Sequence, residues 1–128
     1  MIFSEQIGLM AVTLSNGEHK IISDLSNELG GENSGLNPHE LIEAALGACT
    51  IQTLKLYSKR KNWDLTDLKV EIKIIREGAE SLIERNIFFG DVPDGNKKRL
   101  LEIADKCPIH KLLVSSIKIL THATSEDF

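Results

Sequence analysis

The sequence predicts an α+β fold, with antiparallel sheets around one long central helix. Three observations predict it. Residues 37–61 read as a single helix, roughly 36 Å long at 1.5 Å per residue, which is about the width of a small domain. Residues 68–74 alternate apolar and charged side chains, the pattern of a strand with one wet face in an antiparallel sheet. Strands and helices do not alternate strictly along the chain, which argues against parallel βαβ units. The 128 residues fit a single domain, 1–128.

The elements follow in order. An apolar run over residues 7–14, the turn signal Asn16-Gly17 and a return over 19–23 predict an N-terminal hairpin, with residues 1–4 as a candidate extra strand. Residues 25–38 hold Gly30, Gly31, Asn33, Gly35 and Pro38, an ordered loop that is either a connector or functional. Asn37 is the expected N-cap of the long helix, Pro38 fits its first position, and Glu40 sits where a capping-box acid belongs. From Leu41 to Leu54 the only charge is Glu43, so this half should be buried on most faces. Ala44, Ala45, Gly47 and Ala48 thin the wall around Cys49 enough for another helix to approach. Lys55, Lys59, Arg60 and Lys61 suit the negative end of the helix dipole.

Residues 62–64 stop that helix, with Trp63 packing across the joint. Leu68, Val70, Ile72 and Ile74 point inward on the next strand. After a turn at 78–81, a partner strand over 82–89 puts Ile83, Ile87 and Phe89 on one face. An amphipathic helix over 96–106 carries Leu100, Leu101, Ile103 and Ala104. Cys107-Pro108 opens a short helix to about residue 114, residues 116–121 read as a last strand, and the tail 124–128 should fray. A helix apolar nearly all round needs more cover than one small sheet provides, which predicts an oligomer.

Composition bounds the function. A net charge of −4 without a basic face argues against nucleic acid as the main partner. The apolar part of the long helix is too short to cross a bilayer, for which about 20 residues are needed. The first ten residues lack the basic start and long apolar run of a signal peptide, so a cytoplasmic, reducing setting is expected. There a reactive or buried thiol is favoured over a structural disulfide. His19, His39, His110 and His122 are scattered and no second cysteine lies near Cys49, so no metal site and no cofactor are expected.

The chemistry-bearing candidates are Cys49, Cys107, His39 and Glu40. Cys49 lies about three turns into its helix, beyond the reach of the N-terminal dipole, so any lowering of its pKa must come from a charge elsewhere in the fold. Cys107 stands at a helix start, where free N–H groups favour a thiolate, with His110 three residues on. Both cysteines can equally be read as small buried hydrophobes. His39 lies about 15 Å along the axis from Cys49 and Glu40 is on the opposite face, so neither touches Cys49 within one straight helix. Glu40 as a cap and His39 as a first-turn surface residue are the plain alternatives. No G-x-S-x-G elbow supports a serine nucleophile.

LGGENSGLNPHELIEAALGACT, followed much later by LLEIADKCPIHKLL, resembles the OsmC/Ohr family. Two motifs carry the likeness: N-P-x-x-L with Cys49 in the same helix, and the pair Cys107-Pro108. The resemblance covers most of the chain from Leu29 onward. It implies an OsmC-like fold in which two chains intertwine as a homodimer, with the long helices packed centrally and thiol chemistry at the subunit interface. It further implies that Cys49 is the peroxide-attacking thiolate and Cys107 the resolving thiol, with an external dithiol as reductant. The sequence departs from the Ohr pattern in two places. His39, with Glu40 beside it, stands where the Ohr glutamate follows N-P, and no arginine precedes Arg60 to match the N-terminal arginine of that branch. A histidine beside a cysteine can lower a thiol pKa in its place. P-H-E-L with C-P-I-H is more similar to the generic OsmC-like branch.

The expected function is therefore a thiol-dependent, peroxiredoxin-like hydroperoxide reductase serving in oxidative stress, with organic hydroperoxides as substrates. The expected substrate pocket is walled by Leu46, Ile51, Leu54 and residues of a partner chain. The alternatives are a non-enzymatic dimer that binds a small ligand, and a thiol acyl- or sulfur-transfer enzyme.

Overall fold

The computed structural model describes residues 1–125. It is α+β, as the sequence predicts: five strands in two antiparallel sheets, and three α-helices. The chain divides into two compact units, one of residues 1–42 with residues 120–125, the other of residues 43–119.

The first unit holds a three-stranded meander, β1 (Phe3–Gln6), β2 (Val12–Ser15) and β3 (Lys20–Ser23), in the order β1-β2-β3. The Asn16-Gly17 signal makes the β2–β3 turn. The Asn16 side-chain oxygen accepts from the N–H groups of Glu18 and His19, and Gly17 takes φ 94°. The extra strand expected at the start is present, but the apolar run 7–14 is not one strand. Residues 7–11 form the β1–β2 connection, closed by the Ile7 N–H on the Ala11 carbonyl, and only Val12 onward pairs. Once β1 exists, antiparallel pairing requires a reversal there.

The loop from 24 to 37 is ordered around Asp24, which is 3% exposed. Its carboxylate accepts from the N–H groups of Leu25 (2.7 Å), Glu32 (3.1 Å) and Ser34 (3.1 Å) and from the Ser34 hydroxyl (2.7 Å). Gly31 and Gly35 permit the close approach that this requires. A Cβ at Gly31 would strike the Leu25 carbonyl oxygen, and one at Gly35 the Ile22 carbonyl oxygen.

Helix α1 (Pro38–Lys61) starts where predicted. Asn37 and Glu40 form a reciprocal capping box: the Asn37 side chain accepts from the Glu40 N–H at 2.8 Å, and the Glu40 carboxylate accepts from the Asn37 N–H at 3.0 Å. The helix ends at Asn62, which takes φ 57°, while the Trp63 N–H reaches back to the Ser58 carbonyl at 2.9 Å.

In the second unit, β4 (Lys69–Arg76) and β5 (Leu82–Phe88) form an antiparallel pair. Val70, Ile72 and Ile74 are half-buried and their neighbours exposed, as the alternation predicts. Strand β4 runs against α1. Gly47 faces Ile72, and the Glu43 carboxylate accepts the Ile74 N–H at 2.9 Å, beside a register irregularity between Ile74 and Arg76. The thin wall of α1 thus receives a strand at Gly47, where the sequence suggested a helix. Helix α2 (Asp94–Ala104) begins and ends two residues earlier than expected, and α3 (Pro108–Val114) follows. The core joins Leu54, Tyr57, Leu65, Phe89, Leu100, Ile103 and Ala104, with Trp63 packed against it and edge-on to Tyr57 at 5.6 Å. Leu101, expected among these, faces outward.

Two expectations fail in the single chain. The strand expected at 116–121 is not formed, and Ile117, Ile119 and Leu120 stand exposed, Ile119 at 83%. An extended segment becomes a strand only when another strand takes its N–H and C=O groups. Helix α1 is not buried on most faces either. Ile42, Ala44, Ala45 and Ala48 are exposed and Leu56 is 66% exposed, because the sheet and α2 cover one side only. Of the tail expected to fray, residues 126–128 lie outside the described part.

Candidate functional site

Cys49 and Cys107 come together in the second unit. Cys49 projects half-buried from α1, and Cys107, fully buried, is the N-cap of α3. Both are free thiols, and each acts on the other's ionisation. Pro108 at the first position of α3 has no N–H to offer, so the next two amides face the sulfurs. The His110 N–H reaches Cys107 Sγ at 3.3 Å, and the Ile109 N–H bonds Cys49. Thr53, one turn on from Cys49, places its hydroxyl 3.9 Å from the sulfur.

The two thiols are driven in opposite directions. Burial pushes Cys49 up, but the Ile109 N–H, the Cys107 thiol, the Thr53 hydroxyl and the positive charge of Arg85 together outweigh it, so its pKa lies below the ordinary thiol value. Burial also pushes Cys107 up, and there the His110 N–H does not compensate. Cys107 is also the donor to Cys49, which holds its proton in place. The thiolate expected at Cys107 from its helix-start position is therefore overturned: desolvation and the neighbouring sulfur outweigh the α3 amides. Of the two, Cys49 is the more readily ionised.

Arg85 lies beside them on β5, between the half-buried Ile83 and Ile87, with its side chain 12% exposed. One guanidinium nitrogen donates to Thr50 Oγ1 at 3.1 Å. The other reaches Asp105 at 3.0 Å and His110 Nδ1 at 2.9 Å. Since a guanidinium only donates, His110 Nδ1 is the acceptor in this contact. Thr50 itself donates to the Leu46 carbonyl at 2.7 Å.

The other predicted candidates lie elsewhere. His39 and Glu40 occupy the exposed first turn of α1, in the first unit, with Glu40 engaged in the capping box. Leu46 is buried, and Leu54 lies fully in the core, where it cannot line an open pocket. Arg85, Thr53 and Asp105 were not singled out from sequence. Arg85 carried a signal: it occupies the inward register of β5, where a charge needs a reason to be. Among the described residues no cluster of His, Cys, Asp and Glu could hold a metal ion, and no helix is long and apolar enough to cross a membrane.

An α+β chain with a cysteine on its long helix and a second at a Cys-Pro helix start, each acting on the other's ionisation, defines a class of thiol protein. The chain belongs to the OsmC-like protein family, whose profile matches residues 31–122. Solved structures share the fold. A candidate osmotic stress induced and detoxification response protein from Psychrobacter arcticus superposes with a TM-score of 0.75 at 16% identity, over 87% of this chain and 85% of that one. An organic hydroperoxide resistance protein OsmC from Legionella pneumophila gives 0.61 at 17%, over 89% of each chain. The organic hydroperoxide resistance protein OhrB of Bacillus subtilis gives 0.60 at 16%, over 89% of each. No curated protein matches the chain in sequence.

Proposed function

We propose that this protein is a thiol-dependent reductase of organic hydroperoxides, working as a homodimer with an external dithiol as electron donor. The observation that carries the reading is the meeting of two free thiols, Cys49 on α1 and the buried Cys107 at the start of α3, with Cys49 pushed down and Cys107 pushed up in pKa. A peroxidatic pair needs one sulfur ionised to attack and one held as a thiol to resolve.

In this reading the Cys49 thiolate attacks one oxygen of the hydroperoxide. The O–O bond breaks, the departing alkoxide takes a proton to become an alcohol, and Cys49 becomes a sulfenic acid. The Cys107 sulfur then attacks Cys49, its proton leaves with the hydroxyl as water, and a disulfide forms. A dithiol reduces that disulfide by two exchange steps, is itself oxidised, and restores both thiols. Organic hydroperoxides are favoured over hydrogen peroxide because an organic tail buries apolar surface, at about 25 cal/mol per Å². The likeness in fold to organic hydroperoxide resistance proteins supports the substrate class. The exposed apolar residues of α1 and of 117–120 support the dimer, since a second copy would cover them.

The test is consumption of a tertiary alkyl hydroperoxide and of hydrogen peroxide with dithiol reductant, by wild type, Cys49→Ser and His39→Ala. Wild type should turn over the organic substrate faster, and Cys49→Ser should lose the activity. His39→Ala should slow turnover only if the imidazole acts on the thiolate. Equal rates for Cys49→Ser and wild type would refute the reductase.

A further inference from the structure

We infer that Arg85 is the positioning residue of the thiol pair: its guanidinium ties together the two helices that carry the sulfurs and brings a positive charge to them. The inference rests on the reductase reading for its purpose but not for its evidence. No arginine precedes Arg60 in the sequence, so any guanidinium acting within this chain comes from Arg60 or a later residue.

The charge argument starts from the register of β5. Arg85 occupies an inward position between two half-buried isoleucines, with its side chain only 12% exposed. A guanidinium taken out of water must be compensated. Its partners compensate it only in part. Thr50 carries no charge, His110 contributes only the acceptor Nδ1, and the carboxylate partner, Asp105, is 69% exposed and so partly screened by solvent. The Arg85 charge therefore acts with the Ile109 N–H, the Cys107 thiol and the Thr53 hydroxyl in lowering the Cys49 thiol.

The geometric argument starts from the fork. One terminal nitrogen holds Thr50, the residue after Cys49 on α1. The other holds His110, whose own N–H bonds Cys107 Sγ at the start of α3. A single planar group thus bridges the cysteine-bearing turns of both helices, while Asp105, just past the end of α2, fixes the second arm. Lysine has the charge but not the two-armed geometry, so the two roles separate by substitution.

The experiment uses Arg85→Lys and Arg85→Met, each checked for cooperative unfolding and secondary structure, with two readouts. The first is the pH profile of iodoacetamide alkylation, read separately for the Cys49 and Cys107 peptides by mass spectrometry. The second is the rate at which diamide, a thiol oxidant, closes the Cys49–Cys107 disulfide. Arg85→Met should move the Cys49 profile to higher pH and slow its alkylation roughly three- to tenfold below that titration, while Arg85→Lys stays near wild type. Disulfide closure should slow in both variants. A folded Arg85→Met whose Cys49 profile matches wild type overturns the charge role. Wild-type closure in both variants overturns the bridging role. Neither readout involves peroxide, so either failure is distinct from a failure of the reductase assay.

Discussion

Cys49 and Cys107 are the same chemical group in two solvation states. Cys49 is half-buried and receives hydrogen bonds, so ionisation costs it less; Cys107 is fully buried and donates one, so it keeps its proton. At neutral pH a limiting amount of alkylating reagent should therefore label Cys49 first, with Cys107 following only at higher pH or on unfolding; peptide mass mapping reads the order, and the reverse order would contradict the assignment. Glu43 makes a second residue-scale case. It is the lone charge in the apolar half of α1, and it accepts the Ile74 N–H. Glu43→Ala leaves that amide without its acceptor and should cost about 1–3 kcal/mol, measured by chemical denaturation. In the sequence Glu43 was visible as an exception, but its partner was not, because the partner is a backbone amide 31 residues away. Arg85 was hidden differently: the inward face of β5 was readable from Ile83 and Ile87, and the arginine between them shares their parity.

At the scale of elements, local signals were the legible ones. The capping box of α1, the Asn16-Gly17 turn and the Cys107-Pro108 helix start all rest on hydrogen bonds within a few residues, and each is found where the residues place it. Asn37→Ala removes one side of the capping box and should lower stability by about 1 kcal/mol in a denaturation experiment. Asp24 offers a pH test. The Ser34 hydroxyl, working against burial and together with the N–H groups of Ser34, Leu25 and Glu32, holds its carboxyl below the ordinary value of 3.8. The stabilisation is therefore fully present above the unfolded value and is lost as pH falls through the lower folded one. Amide exchange at Glu32 and Ser34 should accelerate only below about pH 4, and Asp24→Asn should show fast exchange already at neutral pH. Segments whose structure depends on distant partners were misread. Residues 7–11 had to turn because β1 pairs, and residues 116–121 have strand composition without a strand to pair with.

At the scale of the whole molecule, the single chain leaves apolar side chains of two segments in water. Ile42 and Leu56 on α1, with Ile117, Ile119 and Leu120, remain in water. The proposed dimer should sediment at twice 14.2 kDa at micromolar concentration, and Leu56→Glu should shift it toward monomer if that face is the one covered. A wild-type chain that stays monomeric and well folded would contradict the dimer. The α+β class and the family were legible because the motif-bearing helix and the Cys-Pro start fall within the 31–122 region of the family match. The opposed ionisation of the thiols was not, because Arg85, Ile109 and Thr53 meet Cys49 only after folding.

The central claim is that Cys49 attacks and Cys107 resolves. The measurement that tests it most directly is peptide mass mapping after one equivalent of a tertiary alkyl hydroperoxide, without reductant. Wild type should show a Cys49–Cys107 disulfide within one chain, and Cys107→Ser should show a sulfenic acid at Cys49, trapped with dimedone. Thiols unchanged in wild type, or sulfenic acid found at Cys107 in Cys49→Ser at the wild-type rate, would contradict it.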